Sequence, residues 1–373
     1  MNERDGYIVL NMITGLGPVR VRSLVEALGS VPAIFEAGPE ELMKANGIGA
    51  ELAASIVQQR AELDPAVECR KAENIGARLI SFADPDYPEP LRKIHDPPLA
   101  LYVSGTLEEK DRHAVAVVGT RHATHYGLTV ADRMAYQLGK VGFTVISGLA
   151  RGIDTAAHKG ALKAGGRTIA VLGSALDRVY PEENAGLAAE ISKHGAVISE
   201  YSLGREPDRT TFPYRNRVVS GLSMGVLVVE AGKTSGAMMT ADQALDQGRS
   251  VFAVPGRIDS PAAKGCHKLL RTGARLVEDV DDILQEFEFL IPPERKKQAE
   301  VLDRRPEAQL SADEQSVVRA LWEDALDVDT LARSAGLTSV AVNSLLLGLE
   351  MKRVVRMLPG RVVELVEGLR RKT

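Results

Sequence analysis

Through the middle of the chain, short apolar runs alternate with amphipathic segments. The runs are Ala114–Val118, Phe143–Ser147, Thr168–Leu172, Ala196–Ser199, Val226–Val229 and Val251–Val254. Most end in Gly or a small polar residue, and a helical pattern follows each of them. Strands of a parallel sheet are covered by helices on both faces, so they read as continuous hydrophobic runs. The pattern predicts an α/β domain built on a doubly wound, mostly parallel sheet. Ligands are expected at the C-terminal ends of its strands.

The flanks follow a different period. Residues 7 to 60 read as short helices, with Gly15-Leu16-Gly17-Pro18 before Val19–Leu28 and Gly47-Ile48-Gly49 before Ala50–Gln59. A Gly-hydrophobic-Gly turn opening a helix aims free backbone N–H groups outward, where they can hold a phosphate. Met1–Arg60 nevertheless has five Lys and Arg against seven Asp and Glu, so packing or protein contact suits these turns equally well. Prolines in Tyr87-Pro88-Glu89-Pro90-Leu91 and Asp96-Pro97-Pro98-Leu99 predict an extended connector over 65–110. A charged, proline-bearing stretch near Pro292-Pro293-Glu294-Arg295-Lys296-Lys297 reads as a linker. Beyond it come three helical patterns, Ser311–Leu321, Val328–Ala335 and Ser339–Leu349. A hairpin of Val354–Met357 and Val362–Leu365 completes a winged helix. The expected domains are 1–64, 65–286 and 310–373, with 287–309 as linker.

Composition narrows the function. At 373 residues, 45% hydrophobic and 26% charged, the chain is expected to be soluble, globular and multidomain. No apolar run suits a membrane span, and Met1-Asn2-Glu3-Arg4-Asp5 lacks the layout of a signal peptide, so a cytoplasmic protein without membrane insertion is expected. Cys69 and Cys266 are far apart and outside metal-ligand spacing, which argues against a disulfide framework or zinc site. The net charge of −4 conceals a division: Val115–Arg275 holds 20 Lys and Arg against 13 Asp and Glu. A positive middle between acidic ends suits a local phosphate-binding surface.

Three segments carry candidate chemistry. Phe212-Pro213-Tyr214-Arg215-Asn216-Arg217 puts two arginines, an asparagine and two aromatic rings into six residues. Guanidinium groups fork onto phosphates and aromatic faces stack on unpaired bases, a mixture suited to single-stranded nucleic acid. Gly119-Thr120-Arg121 follows the first central run, and Ser147-Gly148-Leu149-Ala150-Arg151-Gly152 follows the second. Both are phosphate-friendly turns bearing an arginine. Lys233 adds a positive group at another strand end. Asp154 and His158 share a helix face and invite a general-base reading. With no nucleophile clearly tied to them, a structural role is favoured, Asp154 as a helix cap.

Taken in order, these segments closely resemble the DprA/Smf family of bacterial DNA-processing proteins. Asp154 with His158, Glu230, Ser235-Gly236 and Phe252-Ala253-Val254-Pro255-Gly256 complete the match, which is specific over about 87 to 280. Ala237-Met238-Met239-Thr240 stands where Ser-Leu-Ile-Thr is common and keeps its apolar pattern. The resemblance implies an extended Rossmann-like domain between a helix-hairpin-helix (SAM-like) domain and a winged helix. It also implies a non-enzymatic protein, without cofactor, that binds and protects single-stranded DNA during natural transformation. Such proteins load RecA while displacing single-strand-binding protein. The implied DNA site is Gly119, Thr120, Arg121, Gly148, Arg151, Gly152, Arg209, Phe212, Arg215, Asn216 and Arg217. The implied homodimer contact uses His267, Leu270 and Leu276. The competing reading is a nucleotide-binding phosphoribohydrolase, whose Pro-Gly-Gly-x-Gly-Thr-x-x-Glu signature is absent. An NAD-dependent dehydrogenase fails on the missing G-x-G-x-x-G fingerprint.

Overall fold

A computed structural model describes residues 1–208, 210–287, 310–322, 324–351, 354–358 and 361–365. The chain divides into two compact units, Met1–Ala299 and Glu300–Thr373.

The first unit is organised by nine strands: β1 (Ala77–Ser81), β2 (Ala100–Gly105), β3 (Ala114–Val118), β4 (Thr144–Ser147), β5 (Thr168–Val171), β6 (Ala196–Ser199), β7 (Gly225–Val228), β8 (Ser250–Ala253) and β9 (Arg275–Leu276). Their spatial order is β1-β2-β6-β5-β4-β3-β7-β8-β9. From β6 to β9 every pairing is parallel, while β2 runs antiparallel to both β1 and β6. The chain leaves β3 toward β4, β5 and β6, then returns to β7 on the other side of β3. That reversal opens a crevice at the strand C-termini.

Side-chain alternation on β3 shows how the two faces are covered. Ala114, Ala116 and Val118 join a core with Val218, Val219, Ala241 and Leu269, from helices Thr211–Gly221, Gly236–Asp246 and Lys264–Arg271. Val115 and Val117 face the other way, against Val130, Met134, Leu138, Ala157 and Ile283. Those residues lie on helices His125–Lys140, Ile153–Lys163 and Val280–Glu286. Each fully buried Val or Leu contributes roughly 1.5–3 kcal/mol of transfer free energy, so both helical layers are firmly seated.

The connector differs from its sequence reading. Residues 65–110 form helix Pro65–Asn74, β1, helix Glu89–Arg92 and β2 rather than one extended segment. Pro65 and Pro90 fall in the first turns of their helices, where a missing N–H costs nothing. β1 pairs with β2, and β2 joins the sheet through β6, which is distant in sequence. Upstream, helices Pro18–Leu28 and Ala50–Glu62 follow the two glycine turns and pack Val21, Leu24, Ala53 and Ile56 with Leu99. Ile8 instead joins Leu79, Tyr102 and Val197, so the first helix docks on the sheet.

In the second unit, helices Ala312–Ala320, Val328–Ala335 and Ser339–Met351 pack on a sheet of β10 (Leu326–Asp327), β11 (Val355–Leu358) and β12 (Val362–Leu365), ordered β10-β12-β11. Ser311 and Glu314 form the capping box predicted from sequence, with backbone–side-chain bonds of 2.8 and 3.2 Å. This is the winged helix. The helix expected at Ser339–Leu349 runs over Ser339–Met351, contains no Lys or Arg and leaves Val340 82% exposed. Of the predicted linker only Phe287 lies within the described residues, and it is buried against Phe143 and Phe252.

Candidate nucleic-acid interface

The crevice is assembled from backbone turns that other side chains hold in place. Glu230, at the end of β7, binds the turn after β3: its carbonyl accepts from Thr120 N at 2.7 Å, and its carboxylate accepts from Thr124 N and Oγ1 at 2.9 and 2.6 Å. Gly119 makes this approach possible, since a Cβ there would lie 2.5 Å from Ile153 and 2.8 Å from the Glu230 carbonyl. Gly152 has φ +75° and lies against the Thr120 carbonyl, so no side chain fits.

Asp154 fixes the turn after β4. Its Oδ2 accepts from the Gly148 and Ala150 amides at 3.0 and 3.3 Å. It staples this turn instead of capping its helix, whose N-cap is Gly152. Burial pushes the Asp154 carboxyl up from the usual carboxylate range, against the pull of Arg215 and of these amides. His158 is fully buried with Nδ1 2.7 Å from Thr168 Oγ1, and burial, reinforced by Arg215, lowers its pKa to about 3.

Helix Thr211–Gly221 delivers the third wall. Arg215 is 95% buried yet reaches the crevice. Its Nη1 donates to the Gly148 and Val171 carbonyls and its Nε to Asn216 Oδ1 at 3.1 Å. Phe212 sits against Gly173, where a Cβ would come within 2.7 Å of its ring. The Arg121 guanidinium lies 4.9 Å over that ring and has no hydrogen bond or ion pair among the described residues. The result is a cleft of about 540 Å³, large enough for a nucleotide.

Gly119, Thr120, Arg121, Gly148, Phe212, Arg215 and Asn216 all line this cleft. Gly152 stands behind it as backbone support. Lys233 is exposed beside it, where its neighbours Gly232, Thr234, Ser235 and Gly236 form the floor. Arg151 lies in an adjoining notch, paired with Glu183 through two bonds of 2.9 Å. Arg217 is turned away. It is buried between Glu200 Oε2 at 2.5 Å and Asp96 Oδ2 at 2.9 Å, the latter an ion pair outside hydrogen-bond geometry. Burial works against its charge, but Glu200 and Asp96 outweigh that and raise its pKa. Three residues separate helix positions by most of a turn, yet two put Arg215 and Arg217 on different faces. Arg209 lies outside the described residues. Asp154, read from sequence as a helix cap, lines the cleft, and so do Ser235 and Gly236 of the family pattern together with Thr234.

At the proposed contact between copies, Leu276 is 45% exposed on edge strand β9, while Leu270 packs partly on the core and His267 Nε2 is 2.9 Å from the Gly256 carbonyl. Among the described residues, no group of three or more His, Cys, Asp or Glu is placed to hold a metal, and no helix is long and apolar enough to cross a membrane.

Comparison with known proteins gives this arrangement its family. Residues 78–288 match the family described as DNA recombination-mediator protein A, which covers more than half of the chain. The chain belongs to the DprA/Smf family. Residues 302–361 match the DprA winged helix domain and residues 7–62 a SAM-like helix-hairpin-helix tandem. Protein Smf of Escherichia coli is 39% identical over 77% of each chain, and Protein Smf of Synechocystis 36% identical over 76% of this chain and 72% of its own. The X-ray structure of DNA processing protein A from Streptococcus pneumoniae superposes with a TM-score of 0.69 at 35% identity, covering 78% of this chain and all of that one. DNA processing protein A from Helicobacter pylori, described for its unique single-stranded DNA binding mode, gives 0.51 at 29% identity, over 57% of this chain and all of that one.

Proposed function

We propose that the cleft binds single-stranded DNA without sequence preference, and that the protein acts in DNA processing during natural transformation. The observation that carries this reading is Arg121, an unpaired cation held over the Phe212 ring at the mouth of a cleft floored by backbone turns. A phosphate meets the guanidinium and turn amides while a base meets apolar surface, and neither contact reads sequence. Asp154, which lines the cleft, is engaged by two amides, and His158 one helical turn on is fully buried, which supports binding rather than turnover.

The resemblance extends the proposal to partners. The bound strand is protected, RecA is loaded onto it as single-strand-binding protein is displaced, and two copies associate through the His267, Leu270 and Leu276 region. The winged helix, poor in basic residues on its recognition helix, suits a protein contact better than duplex binding.

The deciding experiment is fluorescence anisotropy with labelled oligo-dT, a matched duplex and AMP as competitor. Tight binding of the single strand, lost in Arg121→Ala, supports the proposal. Preference for duplex, or release of adenine from AMP by clean protein, contradicts it. RecA loading is read as RecA ATPase activity on single strands coated with single-strand-binding protein, with and without this chain.

A further inference from the structure

The loop after β5 ends beside the cleft and is unusually well fixed. Ser174 Oγ donates to the Arg178 carbonyl at 2.6 Å, and Ala175 N to the Arg205 carbonyl at 3.0 Å. Asn184 Nδ2 donates to the Leu149 carbonyl and to Thr155 Oγ1, both at 2.9 Å. This ties the loop to the turn that forms the cleft wall. Between these anchors stands Tyr180, its ring centroid 5.7 Å from that of Phe212 and its surface 40% exposed. A large ring held in place yet left open serves no core.

Tyr180, Pro181 and Arg151 line a notch that shares Arg121, Gly148, Ala150, Phe212 and Arg215 with the main cleft. The two form one continuous groove. The notch measures about 20 Å³, room for a water or a phosphate oxygen but not a base. A base at this end must therefore lie on the open face of Tyr180. Arg151 meets Glu183 bidentately at the surface, and the same fork fits phosphate oxygens. An exposed pair of this kind holds weakly, so the exchange is easy.

We propose that Tyr180 and Arg151 form a second nucleotide subsite: the base next to the one in the cleft stacks on Tyr180, and the linking phosphate takes Arg151 from Glu183. The proposal rests on the reading of the cleft as a single-stranded DNA site.

Binding of an oligo-dT of about 15 nucleotides and, by competition, of thymidine monophosphate, which fills the cleft alone, separates the possibilities in the full chain. Tyr180→Ala and Tyr180→Leu should weaken the oligonucleotide roughly 5- to 100-fold and leave the mononucleotide nearly unchanged. Tyr180→Phe should match the parent, and Glu183→Gln should tighten the oligonucleotide. If Tyr180→Leu binds like the parent, or if both probes weaken together, Tyr180 only props Phe212 and the subsite is wrong. Arg121→Ala reports on the cleft itself. Loss of both probes there, with Tyr180→Ala unaffected, removes the subsite alone; parental binding by Arg121→Ala removes the cleft reading and this proposal with it.

Discussion

Arg215 Nη1 donates to the Gly148 carbonyl at 2.6 Å, so the helix bearing Phe212 is fastened to the turn after β4. The same guanidinium is the buried counter-charge of Asp154. Arg215→Ala should therefore cost stability and binding together. Leaving the buried Gly148 and Val171 carbonyls without their donor costs about 1–3 kcal/mol each. Urea unfolding should show that loss, and any folded fraction should bind oligo-dT weakly.

Arg217→Ala should act on stability alone. Its charge is spent on Glu200 and Asp96, and the substitution leaves Glu200 buried without its partner, a loss of about 3–5 kcal/mol. Folded protein at low temperature should keep the parental salt slope for oligo-dT. A slope lowered by about one unit would put Arg217 on a phosphate after all.

Arg121→Ala should do the reverse. The side chain is exposed and unpaired except for the Phe212 ring. Unfolding should be unchanged, while oligo-dT affinity falls by about 1–3 kcal/mol and the salt slope by about one unit. Phe212→Ala should weaken binding by about 1–3 kcal/mol with little change in salt slope, because a stacking face is lost rather than a charge.

His158 should make the fold acid-sensitive. Its folded pKa of about 3 lies below the ordinary 6.5, so the unfolded chain takes up a proton that the native state refuses. Stability falls as pH drops through 6.5, by up to about 1.4 kcal/mol per pH unit for one proton, and continues to fall toward pH 3. Asp154, raised by burial, opposes this trend at acid pH. The difference between parent and His158→Gln, measured by urea unfolding from pH 7 to 5, isolates the histidine and should shrink as pH falls.

Leu276→Arg is the clean probe of assembly. Leu276 is exposed on the edge strand, whereas Leu270 leans on the core. The variant should unfold like the parent, behave as a monomer by light scattering and keep its affinity for short oligonucleotides. Longer ones should bind more weakly, because two linked pockets raise effective concentration. An intact dimer would move the interface elsewhere.

Six central strands, β3 to β8, and the glycine turns after them were legible in local pattern alone. β3 and β6 were readable to the residue, because a strand buried on both faces must be apolar throughout. The glycine turns after β3 and β4 were readable because a close backbone approach excludes side chains. Tertiary structure decided what local pattern cannot carry. β2 became a strand because β6 offered it an edge, and β1 because β2 did, against a proline-rich local signal. Arg215 and Arg217, two residues apart on one helix, were indistinguishable as letters. One faces the cleft and the other the Glu200 and Asp96 carboxylates, because the fold brings those groups from separate segments to that side of the helix. Tyr180 carried no motif at all. Its place beside Phe212 depends on Asn184 reaching the Leu149 carbonyl, a contact that exists only once the chain has folded.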